Sequence, residues 1–241
     1  MKKICLALDG LSRERALELI SALGQKIRAA KLHDLLDTYG PSIIAELKQE
    51  GAEVPWVDYK IHDTKDTVAL RVRALINNGA KIITVHASGG VPMMKAAVEA
   101  TLGKSRLDES REQLAEIYAI TVLTSLDDNE IKRIYGEDRT REQIVHELAL
   151  MAYEAGVRTV VCSAQEVRML KESADLFGMR FTVPGTRSVG VALGQQKRSG
   201  TPRQAIEDGA DELVAGSQVT KAEDPVVAFH AMTEEIAPVS S

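Results

Sequence analysis

The chain has 241 residues, a length that suits one large α/β domain or two small ones. Hydrophobic residues make up 44% and charged residues 27%, values typical of a soluble globular protein with a substantial core. The net charge of −5 argues against a general nucleic-acid or membrane-surface binder, because both classes carry an excess of basic side chains. No apolar run reaches the roughly 18–20 residues needed to span a bilayer, and the N-terminal apolar stretch is too short for a signal peptide. Because Cys5 and Cys162 form no metal-ligand spacing, we expect a reduced, cytoplasmic protein.

Eight short apolar runs rich in β-branched residues recur along the chain, and a helical pattern follows nearly every one. Most of these runs are continuously apolar, which is typical of parallel strands buried on both faces. The predicted strands are 4–9, 27–32, 54–62, 81–87, 118–125, 158–164, 180–185 and 211–217.

The segments between the strands carry helix start and stop signals, with Ser or Pro at the start and Gly past the end. The predicted helices are 13–22, a segment from Pro41 to just before Gly51, 67–78, 92–102, 140–155, 202–208, and Pro225 to about residue 236. Eight strand–helix units predict a (β/α)8 TIM barrel, a single domain over 1–241 with a short tail at about 237–241. An open doubly wound sheet is the alternative, but no G-x-G-x-x-G follows the first strand.

The active site of such a barrel lies at the C-terminal ends of its strands, so polar residues there are candidates. Taken singly, each is more often a helix cap or a loop residue. The candidates are Asp9, Lys31, Asp58, Lys60, His62, Asp63, His86, Thr124, Ser125, Ser163, Arg187 and Ser217.

The third strand carries the most informative pattern. A period of two predicts Asp58, Lys60 and His62 on one face, so that opposite charges enter an otherwise packed barrel interior. A structural ion pair is the simpler interpretation of an isolated D-x-K. However, Lys31 ends the preceding strand and Asp63 follows closely, which predicts an alternating Lys–Asp–Lys–Asp array of charged groups.

Six motifs together give the chain a family resemblance. They are DYKIHDTKDTV (58–68), VHASGG (85–90), VLTS (122–125), VVCSAQE (160–166), PGTR (184–187) and GQQKRSGTP (194–202). The first is similar to the D-x-K-x-H-D-I-x-N-T-V pattern of the orotidine 5′-phosphate decarboxylase family. From LALD at 6–9 to the last helix, the sequence resembles that family over essentially its whole length.

The resemblance implies a cofactor-free carboxy-lyase without a metal that converts orotidine 5′-phosphate to UMP in de novo pyrimidine biosynthesis. It also implies a homodimer with sites at the subunit interface. Lys60 would donate a proton to C6 of the pyrimidine, Asp58 would face the substrate carboxylate, and Lys31 would hold Asp58 and contact the ribose. Asp63, with Thr67 beside it, would complete the charge network of the partner's site.

The same resemblance implies the residues that bind the rest of the nucleotide. Asp9 would bind ribose hydroxyls, and Thr124 would meet the edge of the pyrimidine. A loop over 185–201 would close on the phosphate through Arg187 and Gln196. The family then ends its eighth strand with a Gly-Arg pair whose arginine binds the phosphate.

Several positions depart from the family pattern. Gly216-Ser217 replaces the Gly-Arg pair, which predicts weaker phosphate binding unless Lys197, Arg198 or Lys221 substitutes. Near the charge network, four further residues occupy positions where the family usually has others. They are His33, where a small residue is usual, and Thr64, Lys65 and Asp66, where Ile, Pro and Asn are usual.

Two other functions remain open from the sequence. One is a metal-dependent sugar-phosphate decarboxylase or aldolase of the same superfamily, which places an acidic residue at the end of the second strand to help bind Mg²⁺; Lys31 there would repel a metal. The other is a catalytically weakened homologue that only binds a nucleotide, which Ser217 and Thr64 favour. Four charged groups kept at a buried barrel mouth argue against the second.

Overall fold

The protein is described by a computed structural model that covers residues 2–104, 111–188 and 200–237. Eight parallel strands close into a barrel, so the predicted architecture is confirmed. The barrel strands are β1 (Ile4–Ala7), β2 (Ala29–Leu32), β3 (Pro55–Ile61), β4 (Ile82–His86), β7 (Glu116–Ile120), β8 (Thr159–Val161), β9 (Arg180–Pro184) and β10 (Glu212–Ala215). A small antiparallel pair, β5 (Leu102–Lys104) and β6 (Arg111–Gln113), lies outside the barrel.

Each barrel strand pairs with its neighbour in chain order, and β10 closes the ring against β1. Ile4 is in register with Leu213, and Cys5 is in register with Ala29. The C-terminal ends of all eight strands therefore meet at one mouth, where the loops that follow them can form a site. The predicted C-terminal tail falls almost wholly on 238–241, outside the described residues.

Helices cover the barrel, and capping side chains begin several of them. Ser12 accepts a hydrogen bond from the Arg15 amide at 3.2 Å, and Thr140 with Gln143 forms a capping box. The helices are α1 (Arg13–Leu23), α2 (Asp34–Tyr39), α3 (Ser42–Gln49), α4 (Lys65–Asn77), α5 (Val91–Ala100), α6 (Asp128–Tyr135), α7 (Arg141–Glu154), α8 (Val167–Glu172), α9 (Pro202–Glu207), α10 (Ser217–Thr220) and α11 (Pro225–Glu235).

Four helices and one hairpin were not predicted from the sequence. Helices α2, α6, α8 and α10 are at most eight residues long, too short for an apolar period to stand out, and none begins at a proline, the signal that marked the equally short α3 and α9. The prediction for 92–102 was two residues too long at its C-terminal end, because α5 ends at Ala100 and β5 begins at Leu102. The polar sequence of β6 gave no strand signal.

The core has two layers. Inside the barrel, Trp56 packs against Tyr118 with ring centroids 5.2 Å apart, and the Trp56 indole nitrogen donates to the Thr84 hydroxyl at 2.7 Å. A larger apolar layer fills the space between strands and helices. Trp56 forms part of the packed floor below the C-terminal mouth, so polar groups above it lie at the end of a solid core. None of the helices in the described ranges is long and apolar enough to cross a membrane.

Candidate active site

The inward-facing positions of β2 and β3 carry the central charged residues to the barrel mouth. Ala29 and Trp56 belong to the apolar interior of the barrel. Lys31 follows Ala29 by two residues and Asp58 follows Trp56 by two, so both continue the inward face of their strands. Both are buried, Lys31 at 6% and Asp58 at 8% exposure.

These side chains form a compact array of opposite charges. One oxygen of Asp58, Oδ2, lies 3.0 Å from Lys31 Nζ and 2.8 Å from Lys60 Nζ. Lys31 also reaches back to Asp9 at the end of β1, with 2.6 Å between Nζ and Oδ2. Four side chains from three neighbouring strands therefore alternate in sign as Asp9, Lys31, Asp58 and Lys60.

The array keeps its buried members ionised. Burial alone would raise the pKa of Asp58, but the charges of Lys31 and Lys60 outweigh it and hold that pKa below its usual value. Burial would likewise lower the pKa of Lys31, but Asp58 and Asp9 raise it above the usual value. Each charge is thus maintained by its neighbours of opposite sign.

An irregular backbone brings Lys60 to the array. Val57 pairs with Ile83 and Ile61 with Val85, so β3 carries two extra residues over this stretch. Lys60 has a φ of 48° and is the single non-glycine residue with positive φ in the described chain. A left-handed lysine is strained, and such strain is concentrated at functional sites.

The same irregularity ends the alternation that the sequence predicted for β3. The backbone leaves the extended region at Lys60, so His62 does not continue the inward face. His62 is exposed, outside the lining of the central cavity, and its ring centroid lies 5.6 Å from that of His86.

Asp63 does not join the array within its own chain. It is exposed, and its Oδ1 accepts a hydrogen bond from the Thr64 amide at 2.7 Å, where α4 begins. The Thr64 hydroxyl, also exposed, donates to the Thr67 hydroxyl at 3.0 Å, and the neighbouring Asp66 is exposed. Of the predicted four-membered Lys–Asp–Lys–Asp array, one chain therefore assembles three members and adds Asp9.

The array lies in a cavity of about 430 Å³ at the mouth of the barrel. Thr124, from the loop after β7, lines this cavity on the side opposite β1, as does Ser125. The cavity has an apolar floor and wall and a charged rim, features typical of a small-molecule site. The apolar part is formed by Ala7, Trp56, Ile120, Leu123, Val161, Pro184 and Val214.

A second cationic group lies at the β9–β10 side of the cavity. Arg187 follows β9 and lines the cavity with Gly216, which directly follows β10. Its Nη2 donates to the Ser217 hydroxyl at 3.3 Å, and its amide donates to the Gly200 carbonyl at 3.0 Å. The predicted phosphate residue Gln196, like Lys197 and Arg198, lies outside the described residues. Lys221 is exposed at the end of α10.

One cluster of metal-type ligand atoms occurs in the described ranges. Single atoms of Asp9, His33 and Asp34 lie within 4.8 Å of one another. The ammonium group of Lys31, 2.6 Å from Asp9, places a positive charge against this cluster, which disfavours a cation there.

The sequence did not identify His33 or Trp56 as site residues, although both line the cavity. The signal for His33 was its position two residues after Lys31, on the same inward face. Trp56 lies two residues before Asp58 and could have been placed below it by the same rule.

The chain is similar in sequence to several known proteins over most of its length. Orotidine 5′-phosphate decarboxylase from Pseudoalteromonas translucida is 39% identical over 236 residues, 98% of this chain and 97% of that protein. The protein of the same name from Idiomarina loihiensis is 38% identical and covers 93% of this chain and 94% of its own length.

Solved structures agree with the fold. The crystal structure of orotidine 5′-phosphate decarboxylase from Lactobacillus acidophilus matches with a TM-score of 0.80 and 28% identity, over 98% of this chain and 99% of that one. The structure of the enzyme from Pyrococcus horikoshii, at 22% identity, supports the fold alone with a TM-score of 0.75, over 98% of this chain and 100% of that one. The family model for orotidine 5′-phosphate decarboxylase / HUMPS matches residues 2–232, and the chain therefore belongs to this family.

Proposed function

We propose that this protein is a carboxy-lyase that converts orotidine 5′-phosphate to UMP in pyrimidine biosynthesis, without a cofactor. The observation that carries the proposal is the position of Asp58 between two ammonium groups, at 3.0 Å from Lys31 and 2.8 Å from Lys60, in the barrel-mouth cavity. The names of relatives at 38–39% identity over more than nine-tenths of the chain support it.

Lys60 is the proton donor in this proposal. The bond between C6 and the carboxylate breaks, CO2 leaves, and the electron pair stays on C6. An ammonium proton of Lys60 then forms the new C6–H bond, and the resulting amine regains a proton from solvent. A fixed ammonium helps the carbanion-like transition state more than the neutral carbon of the substrate, which is the condition for catalysis.

Asp58 and Lys31 hold this donor in place. Asp58 accepts from the Lys60 ammonium, and Lys31 neutralises part of the Asp58 charge from the other side. Asp58 also faces the substrate carboxylate in this arrangement. Departure of that carboxylate as neutral CO2 removes one of two adjacent negative charges, so the reaction relieves their repulsion.

The remaining cavity residues bind the nucleotide. Asp9 accepts from ribose hydroxyls, Lys31 contacts the ribose, and Thr124 meets the pyrimidine edge. Arg187 supplies a permanent positive charge for the phosphate, together with Gln196 and the Gly216-Ser217 turn. Arg187 is half-buried, and burial lowers the pKa of its guanidinium without removing its charge.

The active form in this proposal is a homodimer. Asp63 is exposed just before α4 and Thr67 is partly exposed in its first turn; within the described residues, Asp63 forms no ion pair with the charge array of its own chain. Both residues then complete the charge network in the site of the partner. An exposed side chain that does not contact the site of its own chain can reach the site of a second copy across an interface.

A metal-dependent sugar-phosphate lyase is the second candidate, because the matched family model also carries the HUMPS name. Such an enzyme needs carboxylates free for Mg²⁺ at the ends of β1 to β3. Here Asp9 and Asp58 both contact Lys31, at 2.6 and 3.0 Å. The decarboxylase is therefore the better-supported function.

The test is loss of orotidine 5′-phosphate absorbance after addition of purified protein in EDTA. We expect turnover with wild type, none above background with Lys60→Ala, and normal turnover with the matched control Lys65→Ala, an exposed lysine five residues along. Turnover that needs Mg²⁺, or that persists in Lys60→Ala, would refute the mechanism. Nucleotide binding without turnover would favour a binding-only homologue.

A further inference from the structure

Two consecutive residues after β2 contact two consecutive residues after β1. His33 Nε2 lies 3.2 Å from Asp9 Oδ1, and the Asp34 carboxylate accepts a hydrogen bond from the Gly10 amide at 2.9 Å. Gly10 has a φ of 70°, a conformation that favours glycine. The turn that follows Asp9 is therefore tied to the start of α2 at two points.

The backbone determines which nitrogen of His33 carries the proton in the neutral ring. The Asp34 amide donates to His33 Nδ1 at 2.7 Å, as the N-terminal cap of α2. Nδ1 must be unprotonated to accept this bond, so the proton is on Nε2. Nε2 is the atom that faces Asp9 Oδ1, at 3.2 Å, while Nδ1 caps the helix; Oδ1 is buried and has no hydrogen-bond partner among the described residues, so a small rotation of the ring would let Nε2 donate to it.

A nitrogen of Lys31 or His33 thereby lies next to each oxygen of Asp9, although within the described ranges only Oδ2 accepts a hydrogen bond. Lys31 contacts Oδ2 at 2.6 Å, and His33 contacts Oδ1 at 3.2 Å. Both contacts lower the pKa of Asp9, although burial opposes them. Among the described residues, His33 makes the ion-pair contact of Oδ1; without it the carboxylate could rotate about its last torsion.

We propose that His33 is a positioning residue that fixes the Asp9 carboxylate for the sugar of the nucleotide. This inference rests on the proposed function, in which Asp9 binds the ribose. Positioning a hydrogen-bond acceptor before the ligand arrives lowers the cost of binding, because the group has no freedom left to lose. His33 occupies a position where a small residue would leave this contact unmade.

Two substitutions of His33 test the roles of its Nδ1 and Nε2 separately. In His33→Gln the side-chain amide reaches the Nε2 position and can still donate to Asp9, but the helix cap is lost. In His33→Asn the amide oxygen replaces Nδ1 and keeps the cap, but the side chain is too short for Asp9. We expect His33→Asn to raise KM for orotidine 5′-phosphate about tenfold with kcat changed less than about threefold, and His33→Gln to restore most of that loss.

His230→Asn is the matched control, because His230 is exposed on α11, contacts Lys26 and Phe229, and does not line the cavity. We expect its KM to equal that of wild type. The reverse order, with His33→Asn normal and His33→Gln impaired, would mean that His33 acts only as a helix cap and would overturn the proposal. Normal KM in both variants would overturn it as well. Circular dichroism of each variant confirms that the fold is retained.

Two readouts do not depend on turnover. The Kd of UMP by calorimetry should rank the variants in the same order, even if wild type does not decarboxylate. The pKa of the His33 ring, followed by NMR, should fall in Asp9→Asn, because Asp9 is the main group that raises it; Asp34 adds to that effect and Lys31 and burial oppose it. If the pKa of His33 does not change in Asp9→Asn, or if the His33 variants bind UMP with the same Kd as wild type, the positioning role is overturned. Neither result depends on whether the protein decarboxylates its substrate.

Discussion

Lys31 and Asp58 lie on neighbouring strands and meet at the barrel mouth, with 3.0 Å between Nζ and Oδ2. In the register of β2 and β3, Lys31 is paired with Trp56, so Asp58 is one inward-facing position further towards the C-terminal end. Lys31 therefore reaches along the barrel axis to this carboxylate. The contact pairs two buried charges, and either charge alone would be costly to bury without its partner.

Removal of the Asp58 charge should destabilise the fold. In Asp58→Asn the buried ammonium of Lys31 loses one of its two carboxylate partners, and Lys60 loses its carboxylate partner. We expect the free energy of unfolding at pH 7 to fall by about 3 kcal/mol, measured by urea denaturation. The control Asp66→Asn, at an exposed position, should change it by less than about 0.5 kcal/mol.

The effect of Asp58→Asn should depend on pH with a defined sign. The pKa of Asp58 is lowered in the folded protein, so its contribution is present above its unfolded pKa of about 3.9 and is lost as the pH falls through the folded value. The difference in stability between wild type and Asp58→Asn should therefore shrink in acid. A difference that grows below pH 4 would contradict the assignment.

The backbone at Lys60 allows a prediction about strain. Lys60→Ala and Lys60→Gly both remove the ammonium, but only glycine adopts a φ of 48° without steric cost. We expect Lys60→Gly to be more stable than Lys60→Ala by about 1 kcal/mol in urea denaturation.

A control pair on a regular helix should show the opposite order. Lys95 is exposed in the middle of α5, where glycine is about 1 kcal/mol less favourable than alanine. If Lys60→Ala proves as stable as Lys60→Gly, then the left-handed backbone at Lys60 does not carry strain.

The barrel and the central charges could be predicted from the sequence, while other contacts could not. Continuous apolar runs at regular spacing indicate parallel strands, and polar residues at their ends then have only one place to meet, as Lys31 and Asp58 do. Nothing in the residue type of Lys60 indicates a left-handed backbone. The prediction that His62 continues the inward face of β3 was therefore wrong. The contact of His33 with Asp9 depends on where α2 begins, which a helix of six residues does not reveal.

Introduction of the missing cation at the end of β10 should strengthen phosphate binding. In Ser217→Arg a second guanidinium would lie near Arg187, whose Nη2 is 3.3 Å from the Ser217 hydroxyl. We expect the Kd of UMP, measured by calorimetry, to fall about tenfold, because an arginine contact to phosphate adds charge as well as hydrogen bonds. Ser217→Gln, of similar length without charge, should leave it nearly unchanged.

An unchanged or weaker affinity in Ser217→Arg would mean that the phosphate is held away from the β10 end. The ionic strength offers a further check, since a contact between exposed charges weakens with salt. The gain from Ser217→Arg should therefore be larger at low salt than at high salt.

For the proposed homodimer, mixing of two variants tests whether Asp63 acts in the site of the partner. Lys60→Ala and Asp63→Ala homodimers should each have little activity. In a hybrid dimer one site would combine Lys60 of the Asp63→Ala subunit with the intact Asp63 of the other subunit, and the second site would carry both defects. Random exchange of equal amounts should restore about a quarter of wild-type activity, since half of the dimers are hybrids with one native site of two.

The alternative, in which Asp63 acts in the site of its own chain, predicts a different activity for the mixture. If Asp63 served the site of its own chain, every site in every mixed dimer would carry one defect, and mixing would restore nothing. The exposed position of Asp63 and its bond to the Thr64 amide, rather than to Lys60, favour the first outcome. Exchange of subunits is verified by native mass spectrometry. If the activity of the mixture then stays at the level of the separate variants, Asp63 acts in the site of its own subunit.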